Sequence, residues 1–179
     1  MPNCAIKVNS MLTLWLKLCQ ERVSFTWIVA FMSKFRSKKT FRGFPCAHRR
    51  WQHNGHCAQI HGYDRTITIW FASETRTVNG FVMDFGELKP VKTWLESQFD
   101  HTLLIDSDDP LLPQFQSLEA AGACRLVVFD DVGMEGSAHH IYGYVNQWVS
   151  EVTNGRVFVH SVEVAENEKN SAIYLAENP

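Results

Sequence analysis

The sequence predicts an α+β domain, with two helices packed on one face of an antiparallel four-stranded sheet. Two strand-like segments, 38–48 and 64–74, flank a polar connection and read as a hairpin pair. Two helical stripes follow, and two more strand-like runs, 157–164 and 172–175, close the order β-β-α-α-β-β. Helices that come together between strand pairs segregate to one side of the sheet.

In the second segment Ile67, Ile69 and Phe71 share one face, the period-2 pattern of a half-buried strand. Asn79-Gly80 marks a turn, after which Phe81-Val82-Met83-Asp84 reads as a short strand or extended segment. Leu88, Val91, Leu95 and Phe99 form one stripe of a helix, and Pro90 is tolerated because it lies in the first turn. Ala138, Ile141, Tyr142, Val145, Trp148 and Val149 define a second helix, which Asn154-Gly155 stops. Residues 105–134 fit this scheme least well. There Asp106-Ser107-Asp108-Asp109-Pro110 predicts a turn, 113–123 a short helix and 126–129 an edge strand.

A chain of 179 residues with 45% hydrophobic and 20% charged residues has the composition of one globular domain, not of a disordered segment. A net charge of -2 gives no electrostatic case for a nucleic-acid partner. Five cysteines at irregular spacings suit a reducing cytoplasm better than a disulfide framework. The stretch 11–31 is apolar, but Lys17, Glu21 and Arg22 leave no uncharged run long enough to span a bilayer. Met32 then opens M-S-K-F-R-S-K-K-T-F like the start of a cytosolic chain. Residues 1–31 are therefore expected to be an extension outside the fold, with 32–179 as the domain.

The window from Phe44 to Tyr63 concentrates chemistry: His48, His53, His56 and His61, four of the eight histidines, fall within fourteen residues together with Cys57. Adjacent antiparallel strands would bring His48 and His61 together, with Gly62 leaving room for close backbone approach. Catalytic zinc takes three protein ligands and an open position. His48 and His61 would supply two, and Tyr63, on the same face as His61, is an infrequent ligand. The same spacing equally suits ordinary polar residues of a long turn. Further on, Asp100-His101 offers a carboxylate that would orient an imidazole for acid–base work. Glu166 would accept paired hydrogen bonds from an amino-pyrimidinone, or stand as a solvated loop carboxylate.

Taken together, these residues resemble the 6-pyruvoyltetrahydropterin synthase superfamily over roughly residues 38–176. Its F-x-A-A-H motif is similar to Phe44-Pro45-Cys46-Ala47-His48, and its cysteine followed by H-G-H is similar to Cys57 and His61-Gly62-Tyr63. Its D-F-x-x-L-K is matched by Asp84-Phe85-Gly86-Glu87-Leu88-Lys89, and its L-D-H-x-x-L by Phe99-Asp100-His101-Thr102-Leu103-Leu104. Its closing glutamate and tyrosine resemble Glu166 and Tyr174. The three-residue spacer Ala58-Gln59-Ile60 is like that of the bacterial 6-carboxytetrahydropterin synthases of the queuosine pathway, and shorter than that of the mammalian-type enzymes.

The resemblance implies the tunnelling (T) fold and a lyase that converts 7,8-dihydroneopterin triphosphate to 6-carboxytetrahydropterin. It implies zinc on His48, His61 and the residue at position 63, Cys57 as the proton-abstracting thiolate, and Asp100-His101 as a second relay. Glu166 and Glu135 would bind the substrate. It also implies a cytoplasmic homohexamer, a dimer of trimers, with active sites at subunit interfaces and no membrane or nucleic-acid partner. The chain departs from the family at Tyr63, where a third histidine is expected, and around Val132-Gly133-Met134-Glu135, where the P-T-x-E-N opening keeps only its glutamate. At the metal three outcomes follow: a phenolate ligand, a substitute imidazole from His53 or His56, or no bound zinc. The alternatives are a pterin-binding protein with lost or altered catalysis, and an enzyme of the 6-pyruvoyltetrahydropterin synthase type.

Overall fold

The computed structural model describes residues 34–176, so the extension expected at 1–31 lies outside the described residues. Strand β1 (Phe35–His48) pairs antiparallel with β2 (His61–Ser73), and β2 pairs antiparallel with β5 (Phe158–Ala165). Strand β6 (Ser171–Leu175) adds antiparallel to β5 at one edge. On the other side of β1 lie β3 (Thr102–Asp106) and β4 (Leu126–Phe129), both running parallel to their neighbours. The result is one six-stranded sheet in the order β4-β3-β1-β2-β5-β6.

The expected four-stranded antiparallel sheet is thus corrected to six strands in a mixed sheet. A parallel neighbour needs a crossover, and helices supply both crossovers here. Helix α1 (Lys89–Phe99) carries the chain from β2 to β3, and α2 (Leu112–Ala120) carries it from β3 to β4. Helix α3 (Met134–Val152) precedes β5. Residues 81–84 form no strand; they lead into a 3₁₀ turn, Phe85–Leu88.

The main core lies between the sheet and two helices. Val91, Leu95 and Phe99 of α1 and Ala138, Ile141, Val145 and Val149 of α3 are fully buried against Ile67, Ile69, Phe71, Val159, Val162 and Val164. Removing each such side chain from water stabilises the fold by about 1.5–3 kcal/mol. Helix α2 lies on the other face, where Phe115 packs with Leu103 and Ile105 in a second, smaller cluster. Strand β3 is therefore buried along its whole length, with Leu104 facing the main core and its neighbours facing α2. Helices occupy both faces at this end of the sheet, not one face as expected.

Two irregularities aim β1. Its register with β2 shifts between Phe41 and Phe44, and Gly43 sits at the shift with φ of 81°. A bulge with glycine in the left-handed region turns both phenylalanines inward. Beyond it the pairing resumes as Cys46 with Tyr63, Ala47 with Gly62 and His48 with His61. No helix among the described residues is long and apolar enough to cross a membrane.

Candidate active site

The open end of the β1–β2 hairpin assembles the site. His48 is buried, and its ring centroid stands 4.4 Å from that of His61 and 6.3 Å from that of Tyr63. The His61 and Tyr63 rings meet edge to face at 5.7 Å. Gly62 permits this crowding, because a Cβ there would lie 2.9 Å from the Cys46 carbonyl oxygen. Glu166, just past β5, brings Oε1 to 3.7 Å from His48 Nε2. His48, His61, Tyr63 and Glu166 are thus brought together.

Arg65 is the residue that the motifs missed. It is fully buried on the same face of β2 as Tyr63 and Ile67, and its Nη2 lies 3.3 Å from His48 Nδ1. It also donates to Ser137 Oγ at 2.7 Å and to the Val132 carbonyl at 3.1 Å. The signal was in the alternation: counting back by twos from Phe71, Ile69 and Ile67 places Arg65 inside. Burial first, then the charges of Arg65, His61 and Arg50, hold the His48 imidazole down to about 3, so the ring is neutral at physiological pH. Burial also pulls the Arg65 guanidinium down, opposed by Cys46 and Glu166, yet arginine keeps its charge.

The loop between the strands is pinned at its start. Arg49 pairs with Asp109 at 2.9 Å, Arg50 reaches Asp106 and Asp131, and Trp51 Nε1 donates to Asp108 at 3.0 Å. The segment 105–131 is therefore the anchor of the His/Cys loop. Asp106 in turn accepts from Val132 N–H at 2.9 Å, the same residue whose carbonyl accepts from Arg65. Burial raises the Asp106 carboxyl, although that hydrogen bond and Arg50 oppose the shift.

Cys57 is a partly exposed free thiol on a 3₁₀ turn, His56–Ala58, held where Arg50 N–H donates to its carbonyl at 2.7 Å. Cys46, by contrast, is buried, and burial pushes its thiol up, away from thiolate chemistry. The His56 ring stands 6.4 Å from that of His61. His53 serves its own turn, its Nδ1 accepting from Gly55 N–H at 2.9 Å.

Asp100 and His101 form the expected dyad at 2.6 Å, with His101 at φ of 55° and its side chain 81% exposed. It does not join the histidine pair. His101 lines a hollow with Pro45, Cys46, Ala47, Gly62, Tyr63, Asp64 and Thr102, so the dyad borders the same hollow as Tyr63. Glu135 lines a third place, a hollow of about 820 Å³ with Trp94, Phe129, His140, Tyr144 and Tyr174.

Among the described residues, no group of three or more His, Cys, Asp or Glu side chains is placed to hold a metal ion. The position 63 phenol replaces one donor of a three-imidazole set, and a buried guanidinium backs another. The residues present therefore do not fit a three-histidine zinc centre.

The sequence model for 6-pyruvoyl tetrahydropterin synthase matches residues 37–177. The 6-carboxy-5,6,7,8-tetrahydropterin synthase of Aquifex aeolicus is 28% identical over 80% of this chain and 99% of its own length. The enzyme of that name from Bacillus subtilis is 30% identical over 44% of this chain and 51% of its own. A structure of an uncharacterised protein from Wolinella succinogenes superposes with a TM-score of 0.69 at 23% identity, covering 80% of this chain and 98% of that one. Plasmodium vivax 6-pyruvoyltetrahydropterin synthase gives 0.57 at 16%, covering 79% and 98%, which supports the same fold. With the match spanning most of the chain, this chain belongs to the 6-pyruvoyl tetrahydropterin synthase family.

Proposed function

We propose that this chain is a 6-carboxytetrahydropterin synthase-like lyase acting on a 7,8-dihydropterin that bears a triphosphorylated side chain. The observation that carries this reading is the juxtaposition of His48, His61 and Glu166 at the open end of the β1–β2 hairpin, with a free thiol on the adjoining loop. Glu166 anchors the amino-pyrimidinone ring by accepting two hydrogen bonds. Cys57 removes a side-chain proton as thiolate, and His101, held by Asp100, returns or receives a proton on the other face of the substrate. Glu135 contributes a further substrate contact. Water, triphosphate elimination and carbon–carbon cleavage then yield 6-carboxytetrahydropterin, acetaldehyde and triphosphate.

The histidine pair lies at the open end of the hairpin, and a complete site needs a second copy of the chain to close it. A hexamer of two stacked trimers, with sites at the interfaces, meets that need. The pathway reading is 7-deazaguanine (queuosine-type) biosynthesis in the cytoplasm. Enzymes of this family are metal-dependent in general, and the resemblance implied zinc here. The donor set does not match, so no step above is assigned to a metal.

Incubation with 7,8-dihydroneopterin triphosphate, with acetaldehyde and carboxytetrahydropterin both measured, tests the reading. Formation of both in equal amounts is expected. Pterin binding without either product by a folded oligomer would instead identify a binding protein.

A further inference from the structure

We infer that Arg65 takes the electrostatic place of a divalent metal in this site, and holds His48 as a hydrogen-bond donor rather than as a metal ligand. The argument starts from the donor inventory. A guanidinium carries only donors, so the Arg65 Nη2 that stands 3.3 Å from His48 Nδ1 requires a lone pair there. The neutral ring then carries its proton on Nε2, the nitrogen that faces Glu166 Oε1 at 3.7 Å. A metal bound at Nε2 would need the reverse, with the proton on Nδ1 pointing at a donor. Metal-bound imidazoles place an acceptor behind the ring, and this one has a cation.

His61 shows the contrast within the same site. Its Nδ1 lies 2.8 Å from the Gln59 carbonyl, an acceptor, so its proton sits on Nδ1 and its Nε2 lone pair is free. The two rings, 4.4 Å apart, thus present one donor and one acceptor. That pair suits a hydroxyl group of the ligand, which both accepts and donates.

Arg65 is also built as a resident charge. It is fully buried, its Nε has no hydrogen-bond partner, and it takes part in none of the ion pairs among the described residues. A buried guanidinium without a paired carboxylate costs the fold several kcal/mol, which its place over the Phe99 ring at 6.0 Å offsets only in part. Its three acceptors, Ser137 Oγ, the Val132 carbonyl and His48 Nδ1, fix it behind the imidazole. A positive charge held there polarises the Nε2–H of His48 toward the ligand, which is the service a Lewis acid would otherwise give.

The inference rests on the lyase reading only for the identity of the ligand, and its test needs no turnover. Zinc binding is measured on the full chain by competition with a chromophoric chelator, and the His48 tautomer by long-range ¹H–¹⁵N correlation. Wild type should bind no zinc at the histidine pair and show His48 protonated on Nε2, with His61 protonated on Nδ1. Arg65→Lys should preserve both results. Tyr63→His alone should leave zinc binding weak, whereas Tyr63→His with Arg65→Met should tighten it by about 10- to 100-fold. One zinc per wild-type chain on His48 Nε2 overturns the inference, as does a His48 proton on Nδ1. If the methionine variant does not fold, the wild-type tautomer and zinc measurements decide alone. Absent turnover with the tautomers as stated would sink the lyase reading and leave this one standing.

Discussion

His48 and His61 are register partners across β1 and β2, yet their Nδ1 atoms face opposite chemistry, a guanidinium N–H behind one and a carbonyl oxygen behind the other. Two identical side chains thus acquire different hydrogen-bonding roles from what lies behind them. The buried ring is held neutral, and the half-exposed one keeps its lone pair toward the site.

That closeness depends on Gly62. A Cβ at this position would meet the Cys46 carbonyl oxygen at 2.9 Å, and main chain cannot swing aside as a side chain can. Gly62→Ala should destabilise the protein by about 1–3 kcal/mol in urea unfolding and abolish turnover in what remains folded. A variant with wild-type stability and activity would show that the strands can part without cost.

Cys57 predicts the opposite pattern. It is partly exposed and free, so Cys57→Ser should change stability by less than about 0.5 kcal/mol. Turnover should fall by a factor of about 100 or more, since a serine hydroxyl is a far poorer base at neutral pH. A steady-state assay beside a urea melt separates the two effects. Substituting the buried Cys46 by alanine should instead cost stability.

Asp84 opens the segment whose motif was matched without a change. Its carboxylate accepts from Gly86 N–H at 2.8 Å and caps the 3₁₀ turn that leads into α1. Asp84→Ala should cost about 1 kcal/mol, with the pterin kinetics nearly intact. Lost turnover at full stability would move Asp84 from the scaffold to the site.

The acid limb of stability can be assigned in part to His140. Burial, and then the neighbouring His139, lowers its imidazole below the usual value of about 6.5. The unfolded chain therefore binds a proton at a pH where the native chain still resists it. Stability must rise with pH through this window and be lost as pH falls below about 6.5. His140→Phe keeps an aromatic ring against Phe129, now 4.5 Å away and parallel, and removes the titration. Melting temperature should then decline less steeply from pH 7 to pH 5.5 than in wild type, and an unchanged slope would assign the acid limb to other groups.

Much of this was legible along the chain. The alternation of Ile67, Ile69 and Phe71 and the stripe from Val91 to Phe99 set faces that the structure keeps. The hairpin placed His48 against His61 without any tertiary information, because strands consecutive in sequence commonly pair with each other. Residues 126–129 were read as an edge strand, and they are one, but their direction was not readable. Parallel pairing is decided by where α1 and α2 cross, and periodicity carries no sign of direction.

Local patterning was enough for β1, β2, β4, β5 and β6, the helices and the family motifs, but not for β3, which sequence alternation did not mark. Only the tertiary structure decided which charges share the interior. It set Arg65 behind His48 and tied the His/Cys loop to Asp106, Asp108, Asp109 and Asp131. Those relations join residues distant in sequence, and the buried ones carry a desolvation cost that exists only once the core has closed.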